Sequence, residues 1–204
     1  NGGIPVMVPL DDSLTYNLDA MLSAITPKTK MLVICNPNNP TGTFVDSAKL
    51  ENFIKKVPEN VIVVVDEAYL EFVSRPDTYS MIKLISEGYE KPLIVLKTFS
   101  KAYGMAGLRI GVAAAKPELI SFLGKSGSAW NINFLGQRMA DAALKDQEYI
   151  KKITALNQIE RNKVSGELEA LGCKVYKSQT NFILFKAPKL ENSEIYAKLA
   201  EEKI

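Results

Sequence analysis

The chain has 204 residues, 47% of them hydrophobic and 24% charged, which is apolar material for a sizeable core in one or two domains and excludes a disordered, collagen-like or disulfide-scaffolded chain. The formal net charge is +2 and the lysines are scattered without a basic run, so there is no nucleic-acid footprint. No stretch approaches the roughly 20 apolar residues of a membrane span, the opening Asn1-Gly2-Gly3-Ile4-Pro5 lacks the pattern of a secretory leader, and a soluble cytoplasmic protein is expected, with neither nucleic acid nor membrane as a partner.

In chain order, short apolar runs of strand length occur at Val6–Val8, Met31–Cys35, Val61–Val65, Leu93–Leu96 and Ile110–Ala115. Their continuous apolarity predicts strands buried on both faces, as in an α/β sheet sandwiched by helices. Helices are expected between them over Leu18–Ile25, Asp46–Lys56, Thr78–Glu87 and Pro117–Gly124, the second capped by Ser47 or Asp46. The alternation favours a mainly parallel, mixed sheet with right-handed crossovers. Beyond Asn133 one long helical pattern runs to Leu171, where Gly172 stops it. Short strands at Cys173–Tyr176 and Phe182–Phe185 and a helix at Ser193–Glu202 then begin a smaller α+β unit. The expected division is a large domain over residues 1–150, and an interdomain helix with part of a small domain over 151–204. The chain opens almost on a strand and stops inside a helix, and is read as the middle of a longer protein.

The two cysteines, Cys35 and Cys173, stand far apart without a CxxC partner and are read as reduced, mostly buried thiols. Histidine is absent, which excludes a Ser-His-Asp or Cys-His triad and any histidine-ligated metal; no metal site is expected.

Four features fall at predicted strand ends, where open α/β sheets bind ligands. Asn36-Pro37-Asn38-Asn39-Pro40-Thr41-Gly42 is a stiff, amide-rich loop; any single Asn-Pro in it reads as a turn. Asp66-Glu67-Ala68-Tyr69 closes the third apolar run, and an acid there needs a cation or hydrogen-bond donors, which a helix cap, a salt bridge or a protonated pyridine nitrogen would each supply. Lys97-Thr98-Phe99-Ser100-Lys101 offers an amine able to condense with an aldehyde cofactor and hydroxyls for a phosphate, although a lone lysine is usually a solvated surface charge. In Tyr103-Gly104-Met105-Ala106-Gly107-Leu108-Arg109-Ile110-Gly111 the glycines allow close backbone approach, and Arg109 is placed either to fork onto a phosphate or to form an ordinary ion pair.

The order of these features resembles fold type I aminotransferases dependent on pyridoxal 5'-phosphate, and most closely the histidinol-phosphate aminotransferase family. The likeness continues through Trp130-Asn131-Ile132-Asn133 and Thr180-Asn181-Phe182 and covers nearly the whole chain. It implies an aspartate aminotransferase-like fold, with Lys101 anchoring the cofactor and moving the substrate proton, and Asp66 keeping the pyridine nitrogen protonated. It further implies that Asn39 and Tyr69 hydrogen-bond the ring oxygen beside the anchor and that Thr98, Ser100 and Arg109 hold the 5'-phosphate. The implied substrates are a small-molecule amino donor and a phosphorylated or 2-oxo acid acceptor, and the implied assembly is a homodimer. Members of the family are longer, and by resemblance a backbone phosphate-binding turn, a ring-stacking aromatic and a substrate-binding arginine lie outside this chain. Trp130, Asn131 and Asn181 stay open between structural and substrate-lining roles. So do the alternatives of a threonine-phosphate-type decarboxylase, an aromatic amino acid aminotransferase and a non-catalytic subunit.

Overall fold

Branched aliphatic residues dominate the runs that form the main sheet, and their side chains fit extended, packed backbone. The computed structural model describes residues 2–127 and 131–204. Strands β1 (Met31–Cys35), β2 (Ile62–Asp66) and β3 (Leu93–Thr98) lie side by side and parallel, and β4 (Gly111–Ala115) adds antiparallel to β3. The expected α/β architecture with a mainly parallel, mixed sheet is therefore present.

Because side chains alternate along a strand, Leu32 and Ile34, Val63 and Val65, and Leu93 and Val95 share one face. That face forms the main core with Met21 of α1 (Leu18–Ser23), Leu50, Phe53 and Ile54 of α2 (Ser47–Lys56) and Leu84 of α3 (Ile82–Ser86). Each fully buried aliphatic side chain, such as Ile34 or Val65, contributes about 1.5–3 kcal/mol. On the opposite face Val64 and Ile94 are buried, but Met31 and Val33 are 54% and 57% exposed. Continuous apolarity in β1 thus overstates its burial.

Helix α4 (Pro117–Ser126) lies against β4, and α5 (Phe134–Lys145) and α6 (Gln147–Ala170) follow. A two-stranded antiparallel sheet of β5 (Lys174–Val175) and β6 (Phe185–Lys186) and helix α7 (Asn192–Glu201) complete the described chain. Gly172 closes α6 as expected, at φ +81°, with the Cys173 and Gly172 N–H groups bonded back to Leu168 and Glu169.

Several expectations are corrected. Val6–Val8 is not a strand; Val6 and Met7 are exposed and have no ladder partner among the described residues. The long helix after Asn133 is two, because Asp146 ends α5 and its carboxylate caps α6 by accepting the Tyr149 N–H at 3.1 Å. Asp46 takes the N-cap position of α2 as expected, but its carboxylate pairs with Arg75 and makes no capping hydrogen bond, while the Ser47 hydroxyl donates to the Tyr79 carbonyl at 2.9 Å. Helix α3 begins four residues late because Glu67 claims the Met81 N–H and the Ser80 hydroxyl. Both cysteines are half-buried rather than mostly buried.

Candidate active site

The strand register gathers the four sequence features at one edge. Cys35 pairs with Asp66 and Asp66 with Leu96, so the loops after β1, β2 and β3 leave from one line. β4 runs the other way, with Gly111 opposite Thr98, which brings the chain before it to the same edge. Asn39, Asp66, Tyr69, Thr98, Ser100, Lys101 and Arg109 all lie on these strand ends or loops.

Within the first loop the three asparagines separate by role. Asn36 is buried and exchanges bonds with the Val45 backbone at 2.9 and 2.8 Å. Asn38 is also buried, donating to Thr41 at 2.8 Å and accepting from the Tyr16 hydroxyl at 2.8 Å. Asn39 alone is exposed, and its amide donates to the Tyr69 hydroxyl at 3.1 Å. The two internally bonded residues hold the loop stiff while the third faces outward. Gly42 has φ +74°, and a Cβ there would lie 2.6 Å from Ser178 Oγ, so a side chain is excluded by conformation and by space.

Period-2 alternation sends the adjacent acids apart. Asp66 points with Cys35 to the face away from α1–α3, where one carboxylate oxygen accepts the Ala68 N–H at 3.0 Å and the other has no donor among the described residues. Burial pushes up both the Tyr16 hydroxyl and the Cys35 thiol, and the Asp66 charge adds to each, so both stay neutral beside that carboxylate. Glu67 points to the helix side and is 2% exposed. Burial pushes its carboxyl above the ordinary value, against Lys97, Ser80 and the Met81 N–H. Burial opposes the Lys97 charge, yet Glu71 at 2.8 Å and Glu67 at 3.5 Å outweigh it and hold the ammonium above its ordinary value.

Tyr69 is buried, with Phe182 packed edge-on at a centroid distance of 5.1 Å. Lys101 Nζ lies 5.4 Å from the centroid of the same ring and has no carboxylate partner among the described residues. An exposed primary amine, a phenol and a carboxamide are thereby brought together. Thr98 Oγ1 accepts the Ser100 N–H at 3.1 Å and donates to the Ile110 carbonyl at 3.4 Å. Arg109 is not drawn into this group: its guanidinium donates to the Ala106 carbonyl at 2.8 Å, and no hydrogen bond joins it to Thr98 or Ser100 among the described residues. Its backbone is left-handed at φ 55°, a strain of order 1 kcal/mol for a residue other than glycine.

The sequence signalled no role for Tyr16, Ser178 or Arg161, whose local patterns are those of ordinary loop and helix residues, nor for Glu67, although it stands inside the Asp66-Glu67-Ala68-Tyr69 run. Thr180-Asn181-Phe182 was visible as a motif, but its place against Tyr69 was not. Asn181 is exposed, and Trp130 lies outside the described residues.

An amine, a carboxylate with a free oxygen, a phenol–amide pair and hydroxyls at the carboxyl edge of a mixed α/β sheet define a site suited to a small aldehyde cofactor bearing an anionic group. The model of the aminotransferase class I and II family matches residues 1–204, and the chain belongs to that family. It is 43% identical over 199 residues to the histidinol-phosphate aminotransferase of Brevibacillus brevis, covering 98% of this chain and 54% of the relative. The aromatic amino acid aminotransferase of Mycolicibacterium vanbaalenii is 42% identical over 185 residues, covering 89% and 51%. Among solved structures, the histidinol-phosphate aminotransferase of Sinorhizobium meliloti in complex with pyridoxal-5'-phosphate superposes with TM-score 0.84 at 31% identity, covering 92% of this chain and 50% of that one. The chain spans about half the length of the curated relatives it matches.

Proposed function

We propose that this chain carries the cofactor-anchoring part of an aminotransferase of the histidinol-phosphate type, exchanging an amino group between glutamate and imidazole acetol phosphate. The observation that carries the reading is the convergence of Lys101, Tyr69 and Asn39 at the carboxyl edge of the sheet. The similarity to the Brevibacillus enzyme over 98% of the chain supports the substrate class.

The donor set fits pyridoxal 5'-phosphate. When bound, that cofactor supplies an aldehyde for an amine and a protonated ring that takes up the electrons left by a departing α-proton. Lys101 would hold it through its side-chain amine and, when that amine is free, would serve as the base for the proton at the substrate α-carbon. With no histidine in the chain, a lysine base meets the need for a proton carrier. The uncommitted oxygen of Asp66 would accept the pyridinium N–H, and the half-buried, neutral Tyr16 and Cys35 beside it leave that carboxylate as the counter-charge. Asn39 and Tyr69 would hydrogen-bond the ring oxygen nearest the anchor. Thr98 and Ser100 would offer hydroxyls to the phosphate, and the Arg109 guanidinium, which here donates to the Ala106 carbonyl, would be a further donor for it. In the same reading residues 1–150 belong to the large domain and 151–204 to an interdomain helix and part of the small one. The enzyme is a cytoplasmic homodimer with two small-molecule substrates.

Borohydride reduction of the full-length protein with pyridoxal phosphate should leave the cofactor attached to the peptide containing Lys101. Persistence of that adduct at this site in Lys101→Ala would overturn the anchor. Histidinol phosphate should convert the bound cofactor to its amine form in a single turnover. Conversion by phenylalanine or tyrosine alone would replace the substrate class with the aromatic one.

A further inference from the structure

Helix α6 buries an arginine whose charge no anion answers among the described residues. Arg161 is 6% exposed while Glu160 and Asn162 beside it are exposed, and no carboxylate pairs with it among the described residues. Its Nη1 donates to the Thr180 carbonyl at 2.9 Å and the Phe72 carbonyl at 3.3 Å, and Nη2 donates to Ser74 Oγ at 3.1 Å. A buried cation facing only neutral acceptors is a costly way to fill space that an aliphatic side chain would fill. What the guanidinium provides is a planar fork that reaches two chain segments at once.

Both segments lead to Tyr69. Phe72 ends the 3₁₀ turn Leu70–Phe72, whose preceding residue is Tyr69. Thr180 lies two residues before Phe182, the residue packed edge-on against the Tyr69 ring. We propose that Arg161 is a positioning residue that sets the separation of these two segments and so fixes the Tyr69–Phe182 wall of the site from helix α6. The same helix seats Ile150 in the cluster of Tyr69, Phe72 and Ala102, and its Tyr149 hydroxyl lies 3.1 Å from where a Cβ on Gly104 would stand. One rigid element thereby gauges the Tyr69 turn, the Phe182 loop and the loop that follows Lys101. The cofactor-facing meaning of this wall rests on the proposed function; the mechanical coupling does not.

The test uses Arg161→Met and Arg161→Lys in the full-length protein. In the cofactor-free form, hydrogen exchange over residues 178–184 should quicken on the order of tenfold in Arg161→Met, with β1–β3 unchanged. Arg161→Lys, whose ammonium reaches one carbonyl at a time, should fall between it and the wild type. In the cofactor-loaded form, the circular dichroism of the visible cofactor band should weaken in Arg161→Met, and Phe182→Ala should weaken it without adding to that loss. A uniform rise in exchange across the sheet, unchanged exchange over 178–184, or additive loss of the dichroic band would each overturn the proposal. Absence of a visible band in the wild type would count against the cofactor reading alone, and the exchange result would still decide the role of Arg161.

Discussion

Replacing Lys97 of β3 with methionine removes the ammonium that contacts both Glu67, just after β2, and Glu71 in the 3₁₀ turn that follows. Glu67 receives the Met81 N–H at 2.7 Å, the Ser80 hydroxyl at 2.5 Å and the Lys97 ammonium at 3.5 Å, while the same ammonium lies 2.8 Å from Glu71. Removing one partner of a fully buried pair costs about 3–5 kcal/mol. Here Glu67 keeps two hydrogen bonds and Lys97 is 23% exposed, so the expected loss is about 2–3 kcal/mol. Adding Glu67→Gln should recover about 1 kcal/mol, because the uncompensated buried charge is gone. The pH dependence has a definite sign. Burial already holds the Glu67 carboxyl above its ordinary value, and loss of the ammonium raises it further. The folded state then keeps a proton that the unfolded chain has released, so stability falls as pH rises from 4.5 through the raised folded value. Urea unfolding at about pH 5 and about pH 8 should therefore show the larger deficit at the higher pH. Equal deficits at both, or a deficit under about 0.5 kcal/mol, would refute the view of Glu67 as a buried, cation-dependent carboxylate.

Gly42→Ala should cost about 1–3 kcal/mol by thermal unfolding, from its positive φ and its clash with Ser178. Adding Ser178→Ala should not rescue it, because Ser178 Cβ is itself only 2.8 Å away. Tyr79 donates to Glu51 at 2.7 Å, and this bond, with burial, pushes its hydroxyl up to about 12. A folded value above the unfolded 10.0 means stability is lost as pH rises from 10.0 through about 12, and ultraviolet titration should show Glu51→Gln lowering that step.

The order of strands and helices was legible because each apolar run is bounded by its own turn or cap residues, and period and length carry that information locally. Where the reading failed, the deciding contact came from elsewhere in the chain. Thr78–Met81 carries a helical pattern, but Glu67, fourteen residues before Met81, takes its backbone N–H. Val6–Val8 has strand composition, but no ladder partner among the described residues. At Asp146 the signal was present, an acid three residues before Tyr149, and the longer apolar periodicity concealed it.

At the candidate site the sequence by itself determined which residues stand at the ends of β1, β2 and β3, hence that an amine, an acid, an amide and a phenol share one sheet edge. Tertiary structure alone decided how those groups divide. Of three loop asparagines only Asn39 reaches Tyr69, and of two adjacent acids Asp66 turns to the site while Glu67 turns inward to Lys97. The Arg109 guanidinium rests on the Ala106 carbonyl. Composition and spacing are set within a few residues of each position, whereas burial and partner choice depend on chain that returns from far away, as Arg161 and Phe182 do to reach the turn at Tyr69.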